Sequence, residues 1–477
     1  MRKDNFSGFW RRVRRWFSPV WGVILLAFCA DLGAQGADSP AFKQLRYEEN
    51  YAYLRDPGKR SDPLDRIKFI PLNSAASSYL TLGGEIRERY ERYHNTSWGM
   101  GPQDSTGYLL ERYMAHADVH LGEGVRFFAQ LKSGLEEGRN GGPRPTDKDE
   151  LDVHQAFIDV GMTVGHAEKI TFRVGRQELA YGSSRLISVR EGPNVRSSFD
   201  GAKVIVKIRD WQIDGFATRP VRTSVGLFND STDSQQAFWA VYAVKPVGWL
   251  PKGKVDLYYL GLETDTARFD QGTAREVRHT IGTRLSGDKS GWDYNYEFVY
   301  QFGTFGHGRI NAWTVATETG YAFENLPLQP RFGVRTDITS GDRDPASPVL
   351  QTFKPLFPRG SYFGEPALIG PANHVDLHPQ VDLQVHKRVT VTVDWDCFWR
   401  ESTRDGIYGP AANLIRSGQT SNARSVGQQS ELLVQWAPDR HFAVSADFAY
   451  FRSGRFLRET TPGKPLGYVS TWLTYKF

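Results

Sequence analysis

Cysteine is almost missing from this chain: there are two in 477 residues. Cys29 falls in a segment that reads as cleavable, so Cys397 is left alone and an intramolecular disulfide is excluded. Long hydrophobic runs are missing too. No stretch reaches the ~18 to 20 apolar residues that a spanning helix needs, which excludes a helical membrane protein. Excess charge is the third absence. The formal net charge is +5, but residues 1–36 carry six basic and two acidic side chains; that segment accounts for +4 and leaves +1. Overall basicity therefore gives no argument for nucleic acid or any other polyanion, and only the placement of charges can. Finally, no glycine-rich phosphate loop, zinc-ligand spacing or nucleophile elbow occurs in a context that would support it, so no cofactor and no enzyme are expected.

What is present begins with an ordered leader. Arg11, Arg12, Arg14 and Arg15 precede an apolar stretch from Val20 to Ala30, and small residues follow at Ala34, Gly36 and Ala37. That order is a secretory signal peptide over residues 1–36. Residues 37–78 are polar and irregular, with Pro57, Pro63 and Pro71, and read as a periplasmic lead-in segment. From Tyr79 to Phe477 the text becomes segments of about ten residues that alternate in polarity between turn residues, the pattern of a membrane β-barrel.

Trp292 to Phe302 is the clearest segment. Trp292, Tyr294, Tyr296, Phe298, Tyr300 and Phe302 share one face, and Asp293, Asn295, Glu297 and Gln301 share the other. One face suits lipid and the other water. Val389 to Trp399, Phe442 to Tyr450 and Val125 to Leu131 repeat the parity. A soluble sandwich alternates as well, but two features favour the barrel. Short turns near Gly122-Glu123, Arg209-Asp210, 286–290, 386–388 and 437–440 interleave with long connections near 94–107, 137–150, 180–198, 219–234, 263–275, 341–373, 401–424 and 452–465. The chain also ends on an aromatic, Phe477, in an alternating strand. The segmentation gives an all-β, antiparallel transmembrane barrel of about eighteen strands, with sixteen as the alternative.

Few residues suggest chemistry. Gly303 to Gly308 is glycine-rich but joins two strands, as a hairpin loop does. His374 and His378 share a strand face roughly 13 Å apart, too far to bind one metal, and read as solvated lumen residues. Asp342 and Asp344 on a glycine turn are a calcium candidate that lacks the further ligands of a complete loop. The basic set is more suggestive: Arg87, Arg89, Arg112, Arg126, Lys132, Arg173, Lys203, Lys207, Arg278, Arg284, Arg331, Arg335 and Arg400 all have lumen parity. Rings of such cations select anions in pores. The competing reading is that they pair with lumen carboxylates and stiffen the wall. Glu88 and Arg176 have lipid-facing parity, which requires a rim or a bulge at each.

Several strings resemble the alginate export family of outer-membrane proteins: Leu82-Gly-Gly-Glu-Ile-Arg-Glu-Arg-Tyr-Glu91, Phe172-Arg-Val-Gly-Arg-Gln177, Ser198-Phe-Asp-Gly-Ala202, and Thr352 to Glu365 through Pro371-Ala-Asn373. The resemblance covers most of residues 45–477. It implies an 18-stranded porin-like barrel in the bacterial outer membrane that passes a polyuronate by diffusion. Arg87, Arg176 and Glu365 are the positions that match its motifs, and all three are expected on the substrate path. The partners it implies are outer-membrane lipid, an anionic polysaccharide and periplasmic export or assembly factors, without nucleic acid. The extended Pro-rich loop 341–373 is a departure that allows a constriction or plug. An uptake porin for small nutrients is the alternative, and an outer-membrane hydrolase using a lumen carboxylate pair a further one.

Overall fold

The computed structural model describes residues 40–165 and 168–477. The leader expected over residues 1–36 lies outside them. Among the described residues one sheet holds 21 strands; three of these, Ile70–Pro71, Ser231–Thr232 and Val349–Leu350, are two-residue additions, and the remaining 18 close into an antiparallel barrel. In chain order they are β1 (Tyr79–His94), β2 (Tyr108–Leu121), β3 (Val125–Glu137), β4 (Asp149–Val164), β5 (Glu168–Gln177), β6 (Phe199–Ile208), β7 (Trp211–Arg222), β8 (Gln236–Val247) and β9 (Gly253–Phe269). They continue as β10 (Gly272–Lys289), β11 (Trp292–Phe305), β12 (Gly308–Ala322), β13 (Arg331–Thr339), β14 (His374–His386), β15 (Val389–Trp399), β16 (Ser425–Trp436), β17 (Phe442–Ser453) and β18 (Leu466–Lys476). β18 pairs with β1 from Glu85↔Lys476 to His94↔Gly467, so no edge is left open.

The alternation sorts side chains as the pattern requires. On β11, Phe298, Tyr300 and Phe302 are exposed outward, whereas Glu297, Val299 and Gln301 are buried inward. Among the described residues no helix is long and apolar enough to cross a membrane. Turns of a few residues join the strands at one end (122–124, 209–210, 290–291 and 387–388), and the connections 95–107, 138–148, 178–198, 340–373, 400–424 and 454–465 gather at the other. Short turns mark the periplasmic end of such a barrel and long loops the extracellular end.

One expected long connection is corrected. Residues 263–275 are strand almost throughout: β9 runs to Phe269, β10 starts at Gly272, and a two-residue turn joins them. The hairpin stands beyond its neighbours because the connection 400–424 covers it. The Tyr408 hydroxyl accepts from the Asp270 N–H (3.0 Å), and Asp270 Oδ2 accepts from the Gly418 N–H (2.7 Å). Gly306-His307 is likewise a tight turn at that end, as the hairpin reading of Gly303 to Gly308 requires.

The interior is filled from both ends. Residues 40–71 run into the short-turn mouth, where Arg46 donates to the carbonyls of Gly84 (2.9 Å) and Phe477 (2.8 Å). Tyr47 packs on Phe128 and Phe157 of the lumen wall, and its hydroxyl donates to the Glu178 carbonyl (2.9 Å).

Candidate functional site

Two long connections, 178–198 and 340–373, fold into the lumen and meet there. The Ser188 N–H donates to the Phe357 carbonyl, the Phe357 N–H donates to that of Leu186 (both 2.9 Å), and Ile187 and Phe357 form an isolated parallel bridge. Leu186, Ile187, Phe353 and Leu356 are buried there against Phe199 and Phe238 of the wall. The departure in loop 341–373 is therefore an in-folded segment that crosses the lumen with a second one.

Each loop is held by the wall it faces. Arg87 donates to the carbonyls of Glu191 (2.8 Å) and Pro193 (3.0 Å), and Arg112 forms an ion pair with Glu191 while its Nε donates to Glu85 Oε1 (2.9 Å). Burial raises the proton affinity of the Glu191 carboxyl, but Arg112, Arg196 and Arg87 more than reverse this and hold it below the usual range. On the opposite wall Glu431 Oε1 accepts from the Glu365 N–H (3.0 Å), and the Tyr362 hydroxyl donates to Asp337 Oδ2 (2.7 Å). Gly364 is required for this seat. Its φ is +106°, and a Cβ there would collide with the Glu431 carboxylate.

Most of the expected lumen cations are matched by carboxylates. Arg89 reaches Glu91 (2.7 Å) and Glu365 (2.8 Å), Arg126 reaches Asp118 (2.7 Å), and Arg173 reaches Asp159 (2.7 Å). Lys132 lies between Asp149 (2.8 Å) and Asp230 (2.7 Å). Lys203 meets Asp214 (2.8 Å), Arg284 meets Asp256 (3.0 Å), and Arg331 bridges Asp293 (2.6 Å) and Asp382 (3.1 Å). Arg278 meets Glu276 (2.6 Å). Arg335 has no carboxylate at that range and donates instead to His378 Nδ1 (2.6 Å).

Two residues expected on the path lie off it. Arg176 faces outward at the long-loop rim and pairs with Asp200 of β6 (2.8 Å), which explains its lipid-facing parity. Arg400 is fully buried in the connection after β15, donates to the carbonyls of Asp405, Ser421 and Ala423, and stacks on Phe456. It pins a loop.

Cations left without a carboxylate include Arg359 of the loop 340–373, which donates to the Tyr362 carbonyl (3.5 Å), and residues that line two cavities. A cavity of about 390 Å³ on the long-loop side is lined by Arg89, Glu365 and Arg190, and no acid pairs with Arg190 among the described residues. Burial alone acts on the Arg190 guanidinium and holds it below the ordinary arginine range. A second cavity, about 530 Å³ on the short-turn side, is lined by Lys43, Lys169 and Lys207, also without ion pairs. Lys169 and Lys207 are direct cross-strand partners. Like charges so placed repel each other and attract an anion between them. Strand parity could have indicated Lys169, but nothing periodic marks Arg190 or Glu191, which sit in a loop.

The candidate ligand groups fare differently. His374 and His378 are buried, not solvated, and face different acids: Asp376 for His374, Asp394 and Asp396 for His378. Ligand atoms of Asp376, His378 and Asp396 lie within 4.8 Å of one another, as do those of Asp149, Asp152 and Asp230. Lys132 already occupies the second set as its cation, and Arg335 stands against the first. Asp342 turns toward Asp405, whose Oδ2 accepts from the Asp342 N–H (2.8 Å), and with Asp344 it forms no three-ligand group among the described residues.

A closed barrel with an apolar exterior, a charged interior and in-folded loops is an outer-membrane channel of porin type, and the protein is a bacterial outer-membrane protein. Within that class the chain belongs to the alginate export family, whose model matches residues 78–465. No curated protein sequence matches it. Solved structures share the fold at low identity. OpdK from Pseudomonas aeruginosa, solved with vanillate, is 9% identical with a TM-score of 0.56, over 86% of this chain and 99% of that one. OccD3 (OpdP) from the same organism is 11% identical at 0.56, over 92% and 99%, and OccK8 (OprE) is 11% identical at 0.56, over 83% and 98%.

Proposed function

We propose that this channel passes carboxylated saccharides of the alginate-like polyuronate kind by diffusion, with no cofactor. The carrying observation is the set of unpaired cations, Arg190 on the long-loop side and Lys43, Lys169 and Lys207 on the short-turn side, which gives an anion a charge to reach at each mouth. Cations that already hold a carboxylate stiffen the wall; unpaired ones remain for a solute. A second reading, uptake of small carboxylates, is favoured by the crossed loops, which suit short solutes better than a continuous polymer. The reversal potential of the refolded barrel in a planar bilayer, with uronate monomer, oligomer and polymer added in turn, tests both. Anion selectivity with oligomer block supports the polyuronate reading. Block by monomer but not by oligomer favours small-solute uptake, and cation selectivity would overturn both. Reversing Lys169, Lys207 and Arg190 to glutamate together is expected to abolish the selectivity.

A further inference from the structure

The outer face of the barrel carries two apolar grooves of similar size and different chemistry. One, about 710 Å³ across β8 to β12, is lined by Val241, Leu257, Ile281, Phe298, Tyr300 and Val315 among others, with no charged residue. The other, about 790 Å³, crosses β15, β16, β17, β18 and β1 and has an apolar floor of Val393, Trp395, Leu432, Phe448, Tyr450 and Val469. At its long-loop end stand Arg92 and His94, and the inward-facing Asp394 and Glu431 also border it from the lumen side.

The groove exists because small residues interrupt the ridge. Ser430, Tyr450, Gly467 and His94 are successive cross-strand partners, so Ser430 and Gly467 leave gaps between bulky neighbours. Arg452 lies two residues beyond Tyr450 on the same outward face of β17, and Arg92 two residues before His94 on β1. Adjacent strands are about 4.8 Å apart and the rise is about 3.3 Å per residue, so Arg92 and Arg452 stand about 10 Å apart across the strands and about 13 Å along them, with the His94 imidazole between. All three are exposed and none has an ion pair among the described residues. One acid, Asp104, stands at the upper end, where its Oδ2 accepts from the Tyr93 N–H (3.1 Å) without an ion pair to Arg92; the other acids near this face lie lower. Glu88 is four residues before Arg92, opposite Glu111, and the Tyr113 hydroxyl donates to both (2.7 and 3.2 Å). They bound the site for an anion to the upper end.

We propose that this groove binds one phosphorylated acyl lipid of the outer leaflet, with acyl chains along the apolar floor and phosphate held by Arg92, His94 and Arg452. Charge complementarity selects the occupant. A cationic cluster directly above an acyl-sized groove, at the end that faces outward, matches an anionic headgroup attached to a chain, and the uncharged groove across β8 to β12 has only the second half of that match. The site is separate from the lumen and independent of what the channel passes.

The test is native mass spectrometry on the full barrel in mild detergent, titrated with bisphosphorylated lipid A and, in parallel, with the same lipid after removal of its phosphates. One tight equivalent of the phosphorylated form is expected, with affinity lower by about tenfold or more for the dephosphorylated form and for the double variant Arg92→Glu/Arg452→Glu. Arg92→Lys/Arg452→Lys retains the lipid. Gly467→Trp, which fills the groove and leaves the charges, also loses it. Equal retention of the two lipids by the unaltered protein would overturn the proposal without any variant. So would full binding by a correctly assembled glutamate variant.

Discussion

The two halves of the lumen wall hold their loops by opposite means. On β1 to β6 the inward residues include Arg87, Arg89, Arg112, Lys132, Arg173 and Lys203; the loop 178–198 offers carbonyls and the Glu191 carboxylate to Arg87 and Arg112, while Arg89 takes Glu365 of the other loop. On β14 to β17 they are Asp376, Asp394, Asp396, Glu431 and Asp447, and the loop 340–373 offers an N–H, with Tyr362 reaching Asp337 of neighbouring β13. The cationic half neutralises itself across the strands, residue by residue. The anionic half has no lysine or arginine of its own on the inward faces of those four strands and takes Arg335 from β13. A wall rich in arginine thus exposes little free positive charge, and the field across the lumen is set by what is left unpaired.

The sharpest way to break the comparison is Arg112→Leu. It leaves the buried Glu85 without its main cation, which costs about 3–5 kcal/mol, and takes one partner from the half-exposed Glu191, which keeps Arg196 (3.1 Å). The urea midpoint of the micelle-folded barrel should fall accordingly, and 178–198 should become the first site of protease cleavage. An unchanged midpoint would mean that carbonyl contacts alone hold the loop. Glu431→Gln keeps an acceptor for the Glu365 N–H and should cost about 1 kcal/mol or less.

Next in size is an effect on selectivity. Replacing Asp394 and Asp396 by asparagine and Glu431 by glutamine removes three of the acidic half's carboxylates, leaving Asp376 and Asp447, and keeps its shape, so the chloride-to-potassium permeability ratio should rise several-fold in the bilayer. No change would mean that these carboxylates carry no charge in the working channel.

How much of this could be read from the chain depends on what period-2 alternation encodes. It encodes the face: Phe298 and Tyr300 outward, Glu297 and Gln301 inward, are legible in a single strand. It does not encode the partner. That Arg173 meets Asp159, or that Lys169 faces Lys207, depends on register, which closes only when all the strands pair. The hairpin at 263–275 is not legible as strand because turn-like residues there lie in strands extended under the cover of 400–424. Arg190, Glu191 and Gly364 were not legible because a loop has no parity, and their roles depend on the opposite wall. Arg176 was placed on the path by its motif although its parity pointed outward, and the parity was right.

The outer cap of the loop 340–373 should respond to pH. Burial, reinforced by Asp405 and Asp344, raises the Asp342 carboxyl to about 6. The folded value lies above the unfolded one, so the stabilising neutral form is fully present below about pH 4. That stability is lost as pH rises through about 6. Protection factors at the amides of residues 342 and 402–406, taken relative to the intrinsic exchange rate at each pH, should therefore be larger at pH 4.5 than at pH 7, and Asp342→Asn should flatten the dependence. Protection that grows with rising pH would contradict it.

The smallest effect belongs to the pair that sits outside both halves. Arg176 and Asp200 meet at 2.8 Å, as close as the pairs of the interior, but on the outward face of the long-loop rim, where both remain partly open to solvent. Water and salt screen a charge pair there, and the Thr232 hydroxyl also donates to Asp200 (2.7 Å), so the carboxylate keeps a partner when the arginine is removed. A double-mutant cycle with Arg176→Gln and Asp200→Asn should give a coupling of about 0.5 kcal/mol that shrinks in high salt. The same cycle at Arg112 and Glu85 should give several times more and hardly respond to salt. Similar couplings at the two sites would mean that the interior is as wet as the rim, and the contrast between the two walls would then have to rest on geometry alone.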